Sequence, residues 1–101
     1  MIIYLHGFNS APSSHKARTM GAWMEARGLA AQFVCPALPH VPNEAIRLIE
    51  TERARHAPAQ ITLVGSSLGG FYATWVAEKH GLRAVLINPA VRPYAGLEGF
   101  L

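Results

Sequence analysis

Apolar residues follow two alternating rhythms along this chain. Ile2 to Leu5 is a short unbroken apolar run and predicts a strand. Ser13 or Ser14 can then cap a helix running to about Arg27. Ala17, Met20, Trp23 and Met24 recur along it at helical spacing and are expected to turn inward, and Gly28 is a natural stop. Ala31 to Cys35 predicts a second strand, closed by Pro36, and Pro39-His40-Val41-Pro42 reads as a loop. Asn43 can cap a second helix to about His56, with Ala45, Ile46 and Ile49 on its apolar side and Pro58 following as a breaker. Ile61 to Gly65 predicts a third strand. About Leu68 to His80 predicts a third helix, in which Leu68, Tyr72, Trp75 and Val76 keep helical spacing and after which Gly81 ends the pattern. Arg83 to Asn88 predicts a fourth strand, terminated by Pro89, and Tyr94 to Leu101 could begin another helix.

The resulting order, β-α-β-α-β-α-β, places the chain in the α/β class as a three-layer sandwich with a parallel sheet between helices. Ile61-Thr62-Leu63-Val64 and Ala84-Val85-Leu86-Ile87 are mostly apolar rather than alternating, as in strands covered on both faces. If the second strand lies outside the first and the third on its other side, the strand order is 2-1-3-4. The crevice between strands one and three is then a topological switch point, where ligands bind beyond the carboxyl ends of strands.

Composition narrows the class. A chain of 101 residues is one domain at most, and at 50% hydrophobic it can bury a core. The formal charge is +3, but the nine Lys and Arg residues are scattered, so nucleic acid is not an expected partner. The start of the chain has no basic region ahead of a long apolar core, and no apolar stretch reaches the roughly 20 residues of a membrane span. A soluble cytoplasmic protein without membrane contact is the expectation. The single cysteine, Cys35, sits in an apolar run and reads as a buried small hydrophobe, not as a metal ligand. The chain contains no aspartate; its acids are Glu25, Glu44, Glu50, Glu52, Glu78 and Glu98.

Chemistry concentrates at Gly65-Ser66-Ser67-Leu68-Gly69. A serine hydroxyl is a weak nucleophile. To attack an acyl carbon it must project from the backbone, find a base and have donors waiting for the oxyanion. A Gly-x-Ser-x-Gly turn between a strand and a helix, a nucleophile elbow, supplies the projection, and its glycines let the two elements approach closely. The pattern puts the nucleophile at its centre, Ser67; Ser66 is then a local hydrogen-bonding residue. The second piece is His6-Gly7-Phe8, directly after the first strand. An oxyanion hole needs two backbone N–H groups, one from the residue after the nucleophile, here Leu68, and one from an early loop, here Phe8. The strand order would set Phe8 and Ser67 across the same crevice.

Tyr4-Leu5-His6-Gly7-Phe8-Asn9-Ser10, Gly65-Ser66-Ser67-Leu68-Gly69-Gly70-Phe71-Tyr72-Ala73-Thr74-Trp75 and Asn88-Pro89-Ala90-Val91-Arg92-Pro93 together resemble the YqiA/YcfP-type esterases, small bacterial α/β-hydrolases. The resemblance implies hydrolysis of a small or short-acyl ester, with no metal and no organic cofactor. It carries Ser67 over as nucleophile, and the His6 to Phe8 loop and the Leu68 N–H as oxyanion hole. The chain also departs from the pattern. Triad order in this fold is Ser, then Asp or Glu, then His, and no aspartate and no histidine follow His80. The chain therefore reads as residues 1–101 of the N-terminal part of a single α/β-hydrolase domain, a partial α/β-hydrolase fold.

Completion of the triad from within is a weaker reading. Glu98 follows the fourth strand but reads as a surface residue of a terminal helix, and Glu78 as a helix-surface residue. His6 lies near the crevice but precedes the serine, so a role in holding its loop is favoured. His15 and His56 read as helix-surface residues, His80 sits at a helix C-terminus, and His40 lies in a loop. Arg92 could contact an acidic substrate group, though a loop contact is the plainer assignment. The alternative to an esterase is a non-catalytic, hydrolase-like binding or interaction domain, or a subunit completed by a second chain. The fourth strand would be an uncovered apolar edge, which invites self-association.

Overall fold

In a computed structural model the described residues are 1–6, 15–66 and 68–87, with nothing described of the His15 side chain. They form β1 (Ile2–Leu5), α1 (His15–Ala26), β2 (Phe33–Val34), α2 (Pro42–Arg53), β3 (Thr62–Ser66), α3 (Leu68–His80) and β4 (Arg83–Ile87). The four strands make one parallel sheet in the order β2-β1-β3-β4. In β1 and β3, Tyr4 stands beside Val64 and Leu5 beside Gly65; Val64 in turn stands beside Val85 of β4.

Strand alternation divides the core. Ile3, Leu5 and Leu63 point to the face covered by α2 and α3, where they pack with Ala45, Ile46, Ile49, Leu68, Tyr72, Ala73 and Val76. Tyr4 and Val64 point to the other face and meet Ala17 of α1. This arrangement follows from right-handed crossovers: β1 to β2 moves one way across the sheet, and β2 to β3 to β4 moves back, so α1 lies opposite α2 and α3.

The helix ends follow the glycines. Gly28 takes a φ of 72° and Gly81 one of 68°, both in the left-handed region open to glycine. The Gly28 N–H bonds the Glu25 carbonyl and the Leu29 N–H the Met24 carbonyl, the paired Schellman closure of a helix. Leu82 N–H repeats the longer bond to Ala77.

Several local expectations are corrected. Trp23 is not turned inward but is 52% exposed, with the Arg27 guanidinium 3.8 Å from its ring centre. Met20 is half-buried, whereas Ala17 and Met24 are buried. The second strand shrinks to Phe33–Val34, paired with Ile2 and Ile3 of β1, because Ala30–Gln32 coil into a tight 3-10 turn ahead of it. Asn43 does not cap α2. Val41 occupies the cap position without a side-chain bond and Pro42 takes the first turn, where its missing N–H costs nothing. The helix ends at Arg53 rather than His56, and His56 is half-buried in the following turn. The third strand starts at Thr62 and runs through Ser66, since Ile61 closes a 3-10 turn at Pro58–Gln60. Trp75 is half-buried rather than a core residue like Tyr72 and Val76. Cys35 is half-buried, and desolvation pushes its thiol up to about 11. The suggested caps Ser13 and Ser14, and the stretch from Tyr94 to Leu101, lie outside the described residues.

One polar cluster fastens α2 to α3. Glu50 Oε1 accepts from His80 Nε2 at 2.6 Å and from Arg53 Nε at 3.0 Å, and Oε2 accepts from Lys79 Nζ at 2.8 Å. Partial burial alone would raise the Glu50 carboxyl. The bonds from Lys79, His80 and Arg53 outweigh it and hold the group below its ordinary value of 4.5. The folded pKa lies below the unfolded one, so the stabilisation is present above about pH 4.5 and is lost as pH falls through the folded value. Urea midpoints measured from pH 6 downward should fall more steeply for the parent than for Glu50→Gln; parallel curves would show that the cluster does not couple to folding.

Tyr4 presents the opposite case. Its ring is fully buried, 6.3 Å from that of Phe33, and its hydroxyl is buried with no hydrogen-bond partner among the described residues. An orphaned buried hydroxyl costs about 1–3 kcal/mol. Tyr4→Phe should therefore leave stability unchanged or raise it by ~1 kcal/mol in denaturant unfolding. A marked loss of stability would show that the hydroxyl has a partner.

Candidate functional site

The carboxyl ends of β1 and β3 lie side by side, and α3 starts immediately beyond them. β3 ends at Ser66 and α3 begins at Leu68, so Ser67 is the one residue between strand and helix. Ser67 itself lies outside the described residues, as do Gly7, Phe8, Arg92 and Glu98. What is described is the frame on either side of the turn.

That frame is unusually tight, and two glycines make it so. A Cβ on Gly69 would collide with the Leu5 carbonyl oxygen and would lie 2.6 Å from the Leu5 carbonyl carbon and 2.9 Å from the His6 oxygen. A Cβ on Gly65 would collide with the Gly69 carbonyl oxygen and fall 2.6 Å from Gly70 Cα. All these obstacles are backbone, which cannot swing aside. The first turn of α3 is thus pressed against the end of β1 and folded back on the end of β3. Neither glycine needs a left-handed φ; both are required by close approach. Leu68 is buried at the start of the helix, its side chain in the core under α2 and α3.

His6 completes the frame. It is buried, and its Nε2 accepts the backbone N–H of Leu38 at 2.8 Å. Accepting that proton bond leaves the neutral ring's own proton on Nδ1. The side chain ties the segment after β2 to the end of β1, while the His6 carbonyl abuts Gly69. The Nε2 lone pair is therefore engaged and not open for proton abstraction in this arrangement.

His80 and Glu50 form the ion cluster at the far end of α3. Glu78 is exposed on α3, and His40 is exposed ahead of α2. The Glu50 cluster was not anticipated, because its members are 29 and 30 residues apart and no local spacing marks them. A groove of about 410 Å³ lined by Pro36, Arg47, Leu48, Thr51, Glu52 and Arg55 lies along α2, remote from the elbow.

A four-stranded parallel sheet ordered 2-1-3-4 with helices on both faces matches part of an α/β-hydrolase fold, with the strand-turn-helix at its switch point. Residues 1–101 match the family model described as "Uncharacterised protein family (UPF0227)", and the chain belongs to that family. It is 28% identical over 104 residues to a UPF0227 protein of Shewanella baltica (strain OS155), a match covering 98% of this chain and 56% of the relative. A UPF0227 protein of Serratia proteamaculans is also 28% identical, with the same coverage. UPF0227 protein YcfP of Escherichia coli O139:H28 is 25% identical over 100 residues, again covering 98% and 56%. The chain thus spans about half the length of the curated relatives it matches. No helix among the described residues is long and apolar enough to cross a membrane.

The glycine frame is directly testable. Gly69→Ala must push α3 away from β1 and should destabilise the fold by ~3 kcal/mol or prevent folding, the upper range for overpacking. Gly28→Ala, with nothing within 4 Å and only its φ to strain, should cost ~1–2 kcal/mol. Equal thermal midpoints for Gly69→Ala and the parent would mean that the helix does not seat on β1.

Proposed function

We propose that this chain is the nucleophile-bearing part of a serine esterase. Ser67 attacks the acyl carbon of a small or short-acyl ester and becomes the acyl-enzyme. The N–H groups of Leu68 and Phe8 receive the oxyanion, and the positive end of the α3 dipole favours the same charge. A histidine base held by an acid then activates water to release the acid product. No metal or organic cofactor takes part. The observation that carries this reading is the seating of Gly69 on the Leu5–His6 backbone. It brings the start of α3 to the end of β1, as a hole built from Leu68 and the loop after His6 requires.

Among the described residues, His6 Nε2 accepts the Leu38 N–H and His80 is bonded to Glu50, so neither is offered as the base. The relatives extend well beyond the matched part, and the proposal assigns the base and its acid to sequence of that kind. The competing reading, a hydrolase-like binding domain without catalysis, is favoured only by the same engagement of His6 and His80.

The two readings separate in an ester assay. The chain alone should hydrolyse 4-nitrophenyl acetate at the background rate, unchanged by Ser67→Ala. Co-expressed with the unmatched remainder of the Shewanella baltica relative, it should turn the ester over, and Ser67→Ala should cut that rate by ~10³- to 10⁶-fold. Turnover that survives Ser67→Ala removes the esterase reading. Strong Ser67-dependent turnover by the chain alone removes the assignment of the base to sequence outside the matched part.

A further inference from the structure

The segment from Pro36 to Pro42 leaves the carboxyl end of β2 and enters α2. On the way it meets the end of β1, where the Leu38 N–H donates to His6 Nε2 at 2.8 Å. The carbonyl of the same histidine abuts Gly69 at the start of α3. The segment therefore borders the switch point between β1 and β3, beyond whose carboxyl ends a ligand of this topology sits.

Its composition makes it rigid and electrically silent. Pro36, Pro39 and Pro42 have locked φ, and each holds the residue before it extended, as Val41 shows with φ −83° and ψ 119°. The Leu38 side chain is half-buried against the core under α2 and α3. Buried His6 pins the backbone between two of the prolines. Between Arg27 and Glu44 the chain carries no Lys, Arg, Asp or Glu, although 15% of its residues are charged. The Cys35 thiol, pushed up to about 11 by desolvation, stays protonated at neutral pH. Ala37, His40 and Val41 are the exposed members of the segment.

We propose that the Pro36 to Pro42 segment is a specificity wall of the Ser67 site, that it favours esters uncharged on the side facing it over carboxylate-bearing ones, and that His6 is the positioning residue that sets it. The inference rests on the esterase reading and adds a substrate class to it. A carboxylate brought against this wall loses water and finds no Lys or Arg in the segment to replace it, whereas an apolar group loses nothing. A wall already rigid gives up little conformational freedom when substrate arrives. Discrimination therefore falls on binding, and so on KM rather than kcat. This is the reverse of the acidic substrate group that Arg92 suggests.

The test uses whichever preparation hydrolyses 4-nitrophenyl acetate, at pH 8. Mono-4-nitrophenyl glutarate, charged on the acyl side, is compared with 4-nitrophenyl valerate, and 4-acetoxybenzoate, charged on the alcohol side, with its methyl ester. In at least one pair the carboxylate should raise KM about tenfold with kcat alike. Ala37→Lys should narrow that gap about fivefold and Ala37→Glu widen it as much, while Ala54→Lys, exposed just beyond the far end of α2, leaves it unchanged. His6→Ala should speed exchange of the Leu38 amide by about tenfold or more and narrow the gap, and His6→Gln, which keeps an acceptor, should restore both. If His6→Ala does not fold, the Ala37 pair decides. Equal KM within both pairs, a gap blind to both Ala37 variants, or a preference for the carboxylates overturns the wall and leaves the esterase reading standing. A folded His6→Ala with an unchanged gap overturns the positioning role. Absence of ester turnover in every preparation, or turnover that survives Ser67→Ala, removes the esterase reading and the wall together.

Discussion

The contact on which this structure turns is one between backbones. The first turn of α3 rests on the carbonyl end of β1, at a separation that admits no side chain on Gly69. Because β1 and β3 are neighbours, the same turn also folds back on Gly65. The strand, the turn and the helix are thereby locked to a second strand that lies 60 residues away in sequence. His6 extends the lock by holding Leu38, so the segments after β1, β2 and β3 converge at one end of the sheet. An oxyanion hole must hold its donors in place before charge develops. A frame made of backbone contact and one buried histidine bond is suited to that demand.

Stability is distributed differently from chemistry. The apolar core is concentrated on the α2 and α3 face, where Leu5, Ile49, Leu63 and Val76 are buried. The Glu50 cluster joins α2 to α3 at the end remote from the elbow, where Lys79 and His80 also oppose the negative end of the α3 dipole. The α1 face holds a smaller cluster around Tyr4 and tolerates an unpaired hydroxyl in it. Strengthening the ion cluster and altering the elbow are thus largely separable changes.

Much of this was legible in the sequence where the signal is local. Apolar runs of four or five residues, the glycines after α1 and α3, and the proline after the second strand mark features that depend on nearby residues alone. Placing the second strand outside the first and the third on its other side gives the order 2-1-3-4, which the sheet has, and with it the switch point between β1 and β3. What was not legible depends on partners. The second strand is short because Ala30–Gln32 form a 3-10 turn ahead of it, which no local spacing in the sequence marks. Trp23 is exposed because nothing among the described residues lies over its side of the sheet; its helical spacing is identical to that of a buried residue. Pro42 displaced Asn43 at the start of α2 because two capping signals overlapped and the fixed φ of proline prevailed. The Glu50 cluster joins residues too far apart for any spacing rule. The proposed nucleophile, Ser67, and the proposed second donor, Phe8, lie outside the described residues and rest on sequence pattern.

The placement of β1 has a temporal consequence. It is the inner strand that both β2 and β3 flank, yet in this chain it is the earliest to leave the ribosome. Its first partner, Phe33, lies 31 residues downstream, and Thr62, opposite the same Ile2, lies 60 downstream. By contrast β3, α3 and β4 form a contiguous unit whose contacts are made within 26 residues. Loop closure is entropically cheaper for near neighbours, so the nascent chain can assemble the late unit quickly while the end of β1 waits. Ile2 and Ile3 can pair with Phe33 and Val34 first, but Tyr4 and Leu5 must wait for Val64 and Gly65, and only then can Gly69 seat on the Leu5 carbonyl.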